Sequence, residues 1–414
     1  MNHDPQVRRQ LRRIDRWRLI WAASRNHLAS RSILADAHLA YMRRVQAAAQ
    51  RNLSRRWPRV GLAGISGRWP MPSTRKKAVA GVSGLLAVGL VAGLIGAFAT
   101  NPPAPKPPAF WVPLVAKLPP VAKPPPLPRH PTQLFSPFTG ERISALRPVL
   151  IMKIDNIVYA RPHTGLSWAD IVYVLPVEGG LSRFMAVFSN HIPPVIGPVR
   201  SAREDDLKLL KQFGRPAFGF SGAAAALLPF VEWSRIVDLY SNRVGGYYRD
   251  YRRIAPYNLY ARGDRLRAEA RAASKARDIG FRFGAAPAGG RRVASESVSY
   301  PAASFTFRWS AAKHRWLVWM DGARAETTDR GQLAAATVVI QYTLVRTSRF
   351  LEYGKPPPYA VSTGSGTALV LRDGKAYRAR WSRLNANRGT TFTTTSGRPM
   401  TFAVGPVWVV LVAR

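Results

Sequence analysis

The residues best equipped for chemistry lie between Ala160 and Arg203, in ARPHTGLSWADIVYVLPVEGGLSRFMAVFSNHIPPVIGPVRSAR. Glu178 stands among apolar residues ahead of Gly179-Gly180, with Arg183 five positions on. A carboxylate in such surroundings is costly unless a cation faces it, because desolvation disfavours the charged form. Two roles fit. With a raised pKa, Glu178 or the nearby Asp170 would act as a general acid or base. Otherwise Glu178 is half of a structural ion pair with Arg183 or Arg161. Further on, Ser201 and Glu204 match the S-x-x-E capping box, which predicts a helix from Ser201 with Glu204, Asp205 and Asp206 in its first turn. Arg200 and Arg203 then put positive charge at the wrong end of that helix. Beside free backbone N–H groups they suit a phosphate or carboxylate, and the plainer alternative pairs Arg203 with Asp206 or Glu178.

A second cluster is Tyr247-Tyr248-Arg249-Asp250 with Ala255-Pro256-Tyr257-Asn258-Leu259-Tyr260, read as a loop. Tyr248, Arg249 and Asn258 bring an aromatic face, a guanidinium and an amide, which suit sugars and anions and equally suit packing. Other chemistries leave no mark. The chain has no cysteine, which excludes disulfides, thiolate catalysis and lipidation of an N-terminal Cys. His130, His163, His191 and His314 are scattered without HExxH or HxH spacing, and neither a G-x-S-x-G elbow nor a Walker loop occurs. Ser362–Gly366 is glycine-rich but lacks a phosphate loop's lysine. No metal or cofactor is expected.

These residues need elements to hold them. Pro148–Ile154, Asp170–Val177 and Ser182–Ser189 read as strands, with Pro176 placing the second at an edge or ending it early. Ser201–Phe213 and Asp264–Ile279 read as helices around a short strand, Pro216–Phe220. Beyond Pro287–Arg292 the pattern turns to antiparallel β. Ser304–Trp309 and Arg315–Met320 alternate before the Asp321-Gly322 turn, Thr337–Tyr342 is β-branched, Thr367–Leu371 and Lys375–Trp381 flank Asp373-Gly374, and Val407–Val412 is apolar. The fold class is therefore α+β, with an α/β lobe over 132–285 and a mostly β lobe over 286–414.

Ahead of that stand three other segments. Ala78–Ala99 is a 22-residue run without charge, long enough for a single transmembrane helix. Residues 1–77 carry 18 Lys/Arg against three Asp. Apolar Leu11, Ile14, Trp17, Trp21 and Leu28 at partly helical spacing suit a basic helix on anionic lipid or an arm touching nucleic acid. A start at Met71 would leave residues 1–70 untranslated. Arg75, Lys76 and Lys77 orient the run with its N-terminus in the cytoplasm and the rest outside. Ala97-Phe98-Ala99 offers signal peptidase a site, so secretion after cleavage near Ala99 is the alternative to a retained anchor. Residues 100–131 are a proline-rich, polyproline-type spacer. The +40 formal charge favours polyanions, or reflects an Arg- and Ala-rich composition. An exported location argues against nucleic acid as a partner of the folded part.

The segment resembles the YerB-like family of bacterial lipoproteins, whose domain has no established activity. The resemblance is carried by Arg161-Pro162, Thr164–Ser167, Ala169–Tyr173, Glu178–Gly180, Arg183–Ala186 and Gly197–Arg203. Tyr248–Asp250, Ala255-Pro256 and Asn258–Tyr260 continue it, and weaker echoes extend through 136–414. The family implies an extracytoplasmic, membrane-tethered two-lobe protein. Here the family's lipidated Cys is missing, and the apolar helix must replace it. Val174 stands where the family has an acid, Tyr257 where it tends to have His, and Phe218–Gly222 lacks the His of the family's glycine turn. These losses count against a His-dependent mechanism. The reading is a membrane-anchored binding or scaffold module recognising an anionic wall polymer, a lipid headgroup or a protein partner. Arg161, Arg183, Arg200 and Arg203 would contact it, ordered by Glu178 and edged by Tyr248, Arg249 and Asn258. The alternative is an envelope hydrolase or transferase using Glu178 or Asp170.

Overall fold

The computed structural model describes residues 133–352 and 354–414. The apolar run 78–99, the basic segment before it and the proline-rich spacer lie outside the described residues. Among those described, no helix is long and apolar enough to cross a membrane.

Strands dominate. In chain order they include β1 (Leu150–Asp155), β2 (Ile171–Pro176), β3 (Ser182–Phe188), β4 (Ala217–Phe220), β5 (Val237–Tyr240), β6 (Tyr247–Arg249) and β7 (Leu259–Arg262). The second half adds β8 (Ser295–Tyr300), β9 (Ala303–Ser310), β10 (Arg315–Met320), β11 (Thr337–Thr343), β12 (Gly364–Arg372), β13 (Lys375–Arg383), β14 (Thr391–Thr394) and β15 (Val407–Ala413). The α-helices that matter here are α1 (Glu204–Leu210) and α2 (Gly263–Glu269).

One large sheet runs β13-β12-β11-β15-β2-β3-β1-β4-β5, with β14 and Arg291–Arg292 on β13. The last strand of the chain thus lies in its middle, parallel to both β11 and β2. β15, β2, β3 and β1 are almost entirely buried. Alternate residues explain why: Met152, Val174, Phe184 and Trp408 enter one apolar cluster, whereas Ile151, Tyr173, Met185 and Val409 enter another. A sheet covered on both faces needs near-continuous apolar strands. The β8–β9–β10 sheet covers the first face through Phe305, Phe307, Trp316 and Val318. Leu209, Leu210 and Phe213 help to cover the second.

Several expectations need correction. β2 is no edge strand; it lies between β15 and β3 and ends at Pro176, beyond the last β15 pairing at Val174. The first helix starts at Glu204 rather than Ser201, because Arg203 is the N-cap and its backbone N–H donates to Asp206 Oδ2 at 2.7 Å. The basic helix expected to Ile279 ends its α-helical part at Glu269, followed by one 3-10 turn to Ala272. Beyond it the chain turns outward to bond residues 147–149 and Arg215, so tertiary pairing overrides helix propensity. Tyr247–Tyr260, read as loop, contains β6 and β7 paired antiparallel around a projecting tip.

Candidate functional site

Three parallel strands, β1, β4 and β5, end together, and the groups that follow them define the site. Asp155 closes β1, Ser221 follows β4 and Ser241 follows β5. The carboxyl ends of parallel strands are where open α/β sheets place ligands, since the loops diverge there and leave a crevice. The segment Val199–Ser201 crosses this end. Its backbone is fixed by Arg200 N–H to Lys153 O at 2.8 Å and by Ser221 N–H to Arg200 O at 3.0 Å. Gly222, at φ 145°, lets the chain turn away after Ser221 while its carbonyl accepts from Ala202 N–H.

The result is a pocket of about 330 Å³ lined by Arg200, Ser201, Ser221, Ser241, Asn242 and Tyr248, with Val199, Tyr247, Arg249, Pro256 and Leu259 completing the wall. The Ser201 and Ser221 hydroxyls make no hydrogen bond among the described residues. Arg249 donates through Nη1 to Asn258 Oδ1 at 2.8 Å, so a neutral amide orients it and its charge stays uncompensated. Arg262 lies over the Tyr248 ring at 5.2 Å. Neither Arg249 nor Arg262 pairs with a carboxylate among the described residues. A larger hollow of about 400 Å³ lies near Trp309 and Lys375. Its acid, Asp373, is clasped by Arg372 at 2.8 Å, and no hydroxyl side chain lines it.

Behind the pocket lies an ion network. Arg200 Nε meets Asp155 Oδ2 at 2.8 Å, and Arg183 Nε reaches Asp155 Oδ1 at 3.8 Å. Arg183 Nη2 donates to Glu178 Oε1 at 3.2 Å. Arg203 grips Glu178 with a fork, through Nη2 to Oε1 and through Nε to Oε2 at 3.0 Å, and its Nη1 faces Glu352 at 3.1 Å. Arg183, Arg200 and Arg203 thus face Asp155, Glu178 and Glu352, a balanced set. Burial would raise the Glu178 pKa, but the Arg183 charge and the Arg203 fork overcome it and hold the carboxyl at about 2. Beneath, Lys153 and Asp206 form a fully buried pair at 2.7 Å.

The residues singled out in the sequence therefore separate into four places. Arg200, Tyr248 and Arg249 line the pocket, with Asn258 directly behind Arg249. Glu178, Arg183 and Arg203 are in the adjoining network. Arg161 stands apart, bonded to Asn156 and paired with Asp321 at 2.8 Å. Asp170 precedes β2 while Glu178 follows its end, so the strand's length separates the two carboxylates. Asp170 Oδ2 accepts from Ser189 N and Oγ and from Asn190 N at 2.6–3.1 Å. Burial pushes its pKa up to about 6 against those bonds. Asp155, Ser221, Ser241 and Asn242 went unnoticed in the sequence. Their shared signal is a polar residue ending or directly following an apolar run, which acquires meaning only once the strands are known to be parallel. Among the described residues no group of His, Asp or Glu could hold a metal ion.

The described residues form a mostly β fold with mixed sheets, the largest of which draws strands from both halves of the region and ends at a polar crevice. Two family descriptions match this region: "Protein of unknown function (DUF3048) N-terminal domain" over residues 138–277 and the DUF3048 C-terminal domain over 296–409. The chain belongs to this DUF3048, YerB-like family. It is 43% identical over 76 residues to a protein of Bacillus subtilis (strain 168) named as a lipoprotein, YerB; that stretch is 17% of this chain and spans 23% of the relative. The crystal structure of YerB from Bacillus subtilis superposes with a TM-score of 0.58 at 22% identity, covering 68% of this chain and 97% of that one. At that identity the likeness is one of fold.

Proposed function

We propose that this protein is an extracytoplasmic binding module of the cell envelope, held at the membrane through the apolar segment 78–99, and that its recess takes an anionic ligand. One observation carries the reading. Arg200 and Arg249 stand on the wall of one pocket with the Ser201, Ser221 and Ser241 hydroxyls, at the end of three parallel strands. Charged donors form hydrogen bonds roughly twice as strong as neutral ones, and guanidinium groups match carboxylate and phosphate geometry. The relative's name as a lipoprotein supports the placement outside the membrane.

The catalytic alternative finds less support. A general base works best with a pKa near the working pH, and the arginines hold Glu178 far below it. Asp170 is spent on the Ser189–Asn190 turn. Neither lines the pocket.

The test is binding of the full chain, in detergent, to isolated cell-wall polymer and to anionic lipid across a salt series, beside Arg249→Ala. Arg249 is exposed and its side chain bonds Asn258 alone among the described residues, and a thermal melt of Arg249→Ala separates lost binding from lost fold. Saturable binding at physiological salt that Arg249→Ala weakens about tenfold, the worth of one charge-assisted hydrogen bond, supports the reading. Binding that fades equally for both proteins as salt rises contradicts it and makes the +40 charge a nonspecific attractor.

A further inference from the structure

The pocket has an unusual mouth. Arg249 and Pro256 both belong to its wall, so the tip between them, residues 250–255, stands at the opening. That tip exposes Tyr251 at 89% and Ile254 at 39%. Arg253 ties it to the neighbouring strap by donating to Pro162 O at 2.8 Å and Ala160 O at 3.5 Å. The strap exposes Val158 at 51% and Tyr159 at 38%, and the Tyr159 ring stacks on Tyr257 at 5.9 Å. The two segments that Arg253 ties together thus expose four apolar or aromatic side chains beside the pocket opening. The charge around them is positive. Arg249, Arg253 and Arg262 have no carboxylate partner among the described residues, and Asp250 is occupied by Arg252 at 2.9 Å.

We infer that this rim, formed by Val158, Tyr159, Tyr251 and Ile254 with their flanking arginines, rests on an anionic lipid surface, so that the pocket takes a phosphate-bearing lipid headgroup. The inference rests on the proposed anion site and names the source of its anion. Tyrosine suits the interface because its ring is apolar and its hydroxyl is wet. Arginines beside an anionic lipid surface add electrostatic attraction to it. A dissolved wall polymer would use the cationic pocket and the tyrosines, but gives no reason to hold Val158 and Ile254 in water beside them. Lipid supplies both demands at once: phosphate for Arg200 and Arg249, and acyl-chain boundary for the rim.

Because the chain has no cysteine, Tyr251→Cys and Val158→Cys each create a unique site for an environment-sensitive fluorophore. Leu384→Cys, exposed at 85% on the turn after β13, serves as reference. The full-length protein is reconstituted into vesicles of phosphatidylcholine, with or without phosphatidylglycerol, carrying a quencher on the acyl chains. Any membrane attachment through 78–99 is common to all three proteins, so only the rim distinguishes them. The expected result is lost emission at 251 and 158 in anionic vesicles, retained emission in zwitterionic ones, and no change at 384. Emission that persists at 251 and 158 in anionic vesicles overturns the inference. So does a spectral shift at 251 produced by isolated wall polymer and not by vesicles, which makes the polymer the occupant. Titration with inorganic phosphate separates the two claims: phosphate bound through Arg249 while the rim stays in water sinks the lipid source and leaves the anion site standing.

Discussion

Glu178 is the point on which the arginines converge, and the fork from Arg203 makes it a structural carboxylate. Glu178→Gln keeps the volume but leaves two buried guanidinium groups facing a neutral amide. Breaking a buried pair costs about 3 kcal/mol, so the variant's urea midpoint should fall accordingly while phosphate affinity at the pocket changes little. An unchanged midpoint would mean the network contributes nothing to folding. His163 makes a second residue-scale case. Its ring is buried, Nε2 lies 2.9 Å from Asp155 O, and burial lowers its pKa from 6.5 to about 4, with the Arg161 charge adding to the effect against that backbone bond. Between those values the unfolded chain binds the proton and the folded chain does not, so stability is full above about pH 6.5 and is lost as pH falls through about 4. Relative to His163→Gln, the native protein should lose about 3 kcal/mol across that window; parallel pH profiles for the two would refute the assignment. Residue types alone offered Glu178 either Arg183 or Arg161, and Arg203 either Asp206 or Glu178; the structure puts Arg183 and Arg203 on Glu178 and sends Arg161 to Asp321. Residue types could not reveal Asp155, which joins Arg183 to Arg200 only because β1 and β3 pair with Asp155 opposite Arg183.

At the scale of elements, the apolar strands were the most legible part of the sequence, because burial on both faces of the sheet writes itself as continuous Val, Ile, Leu and Phe. Thr337–Thr343 and Val407–Ala413 were found almost to the residue. Less legible were β5, β6 and β7, where VDLY, YYR and LYAR are short, half-polar and aromatic. Their strand character comes from neighbours, β4 for the first and each other for the rest. The candidate pocket depends on these strands, so it could be seen in the sequence only as an unplaced collection of Tyr, Arg and Asn. Pairing was hidden too. Nothing in VWVVLV says that it lies between β11 and β2. That placement has a consequence: truncation after Pro406 removes the strand that joins the two halves of the sheet. The truncated protein should lack cooperative unfolding and its near-ultraviolet signal, whereas a sharp transition in that chain would show the halves folding independently.

For the molecule as a whole, one sheet holds strands from both family-matched regions, and Arg161 reaches from the first to the Asp321 turn of the second. Residues 133–414 should therefore unfold in a single calorimetric transition, and two separated peaks would contradict a shared core. Charge belongs to this scale as well. A formal +40 attracts any polyanion, so specificity must be sought where arginines are oriented rather than merely numerous. The most direct test is calorimetric titration of the full chain with inorganic phosphate at physiological salt, against Arg200→Ala/Arg249→Ala and against Arg308→Ala, which removes an arginine that stacks on Trp319 away from the pocket. The account predicts one saturable site in the native protein and in Arg308→Ala, and affinity at least about tenfold weaker in the double variant, since each charge-assisted bond is worth about 1.5–3 kcal/mol. Equal, unsaturable heats in all three proteins would show that the pocket arginines serve the fold and that the anion site does not exist.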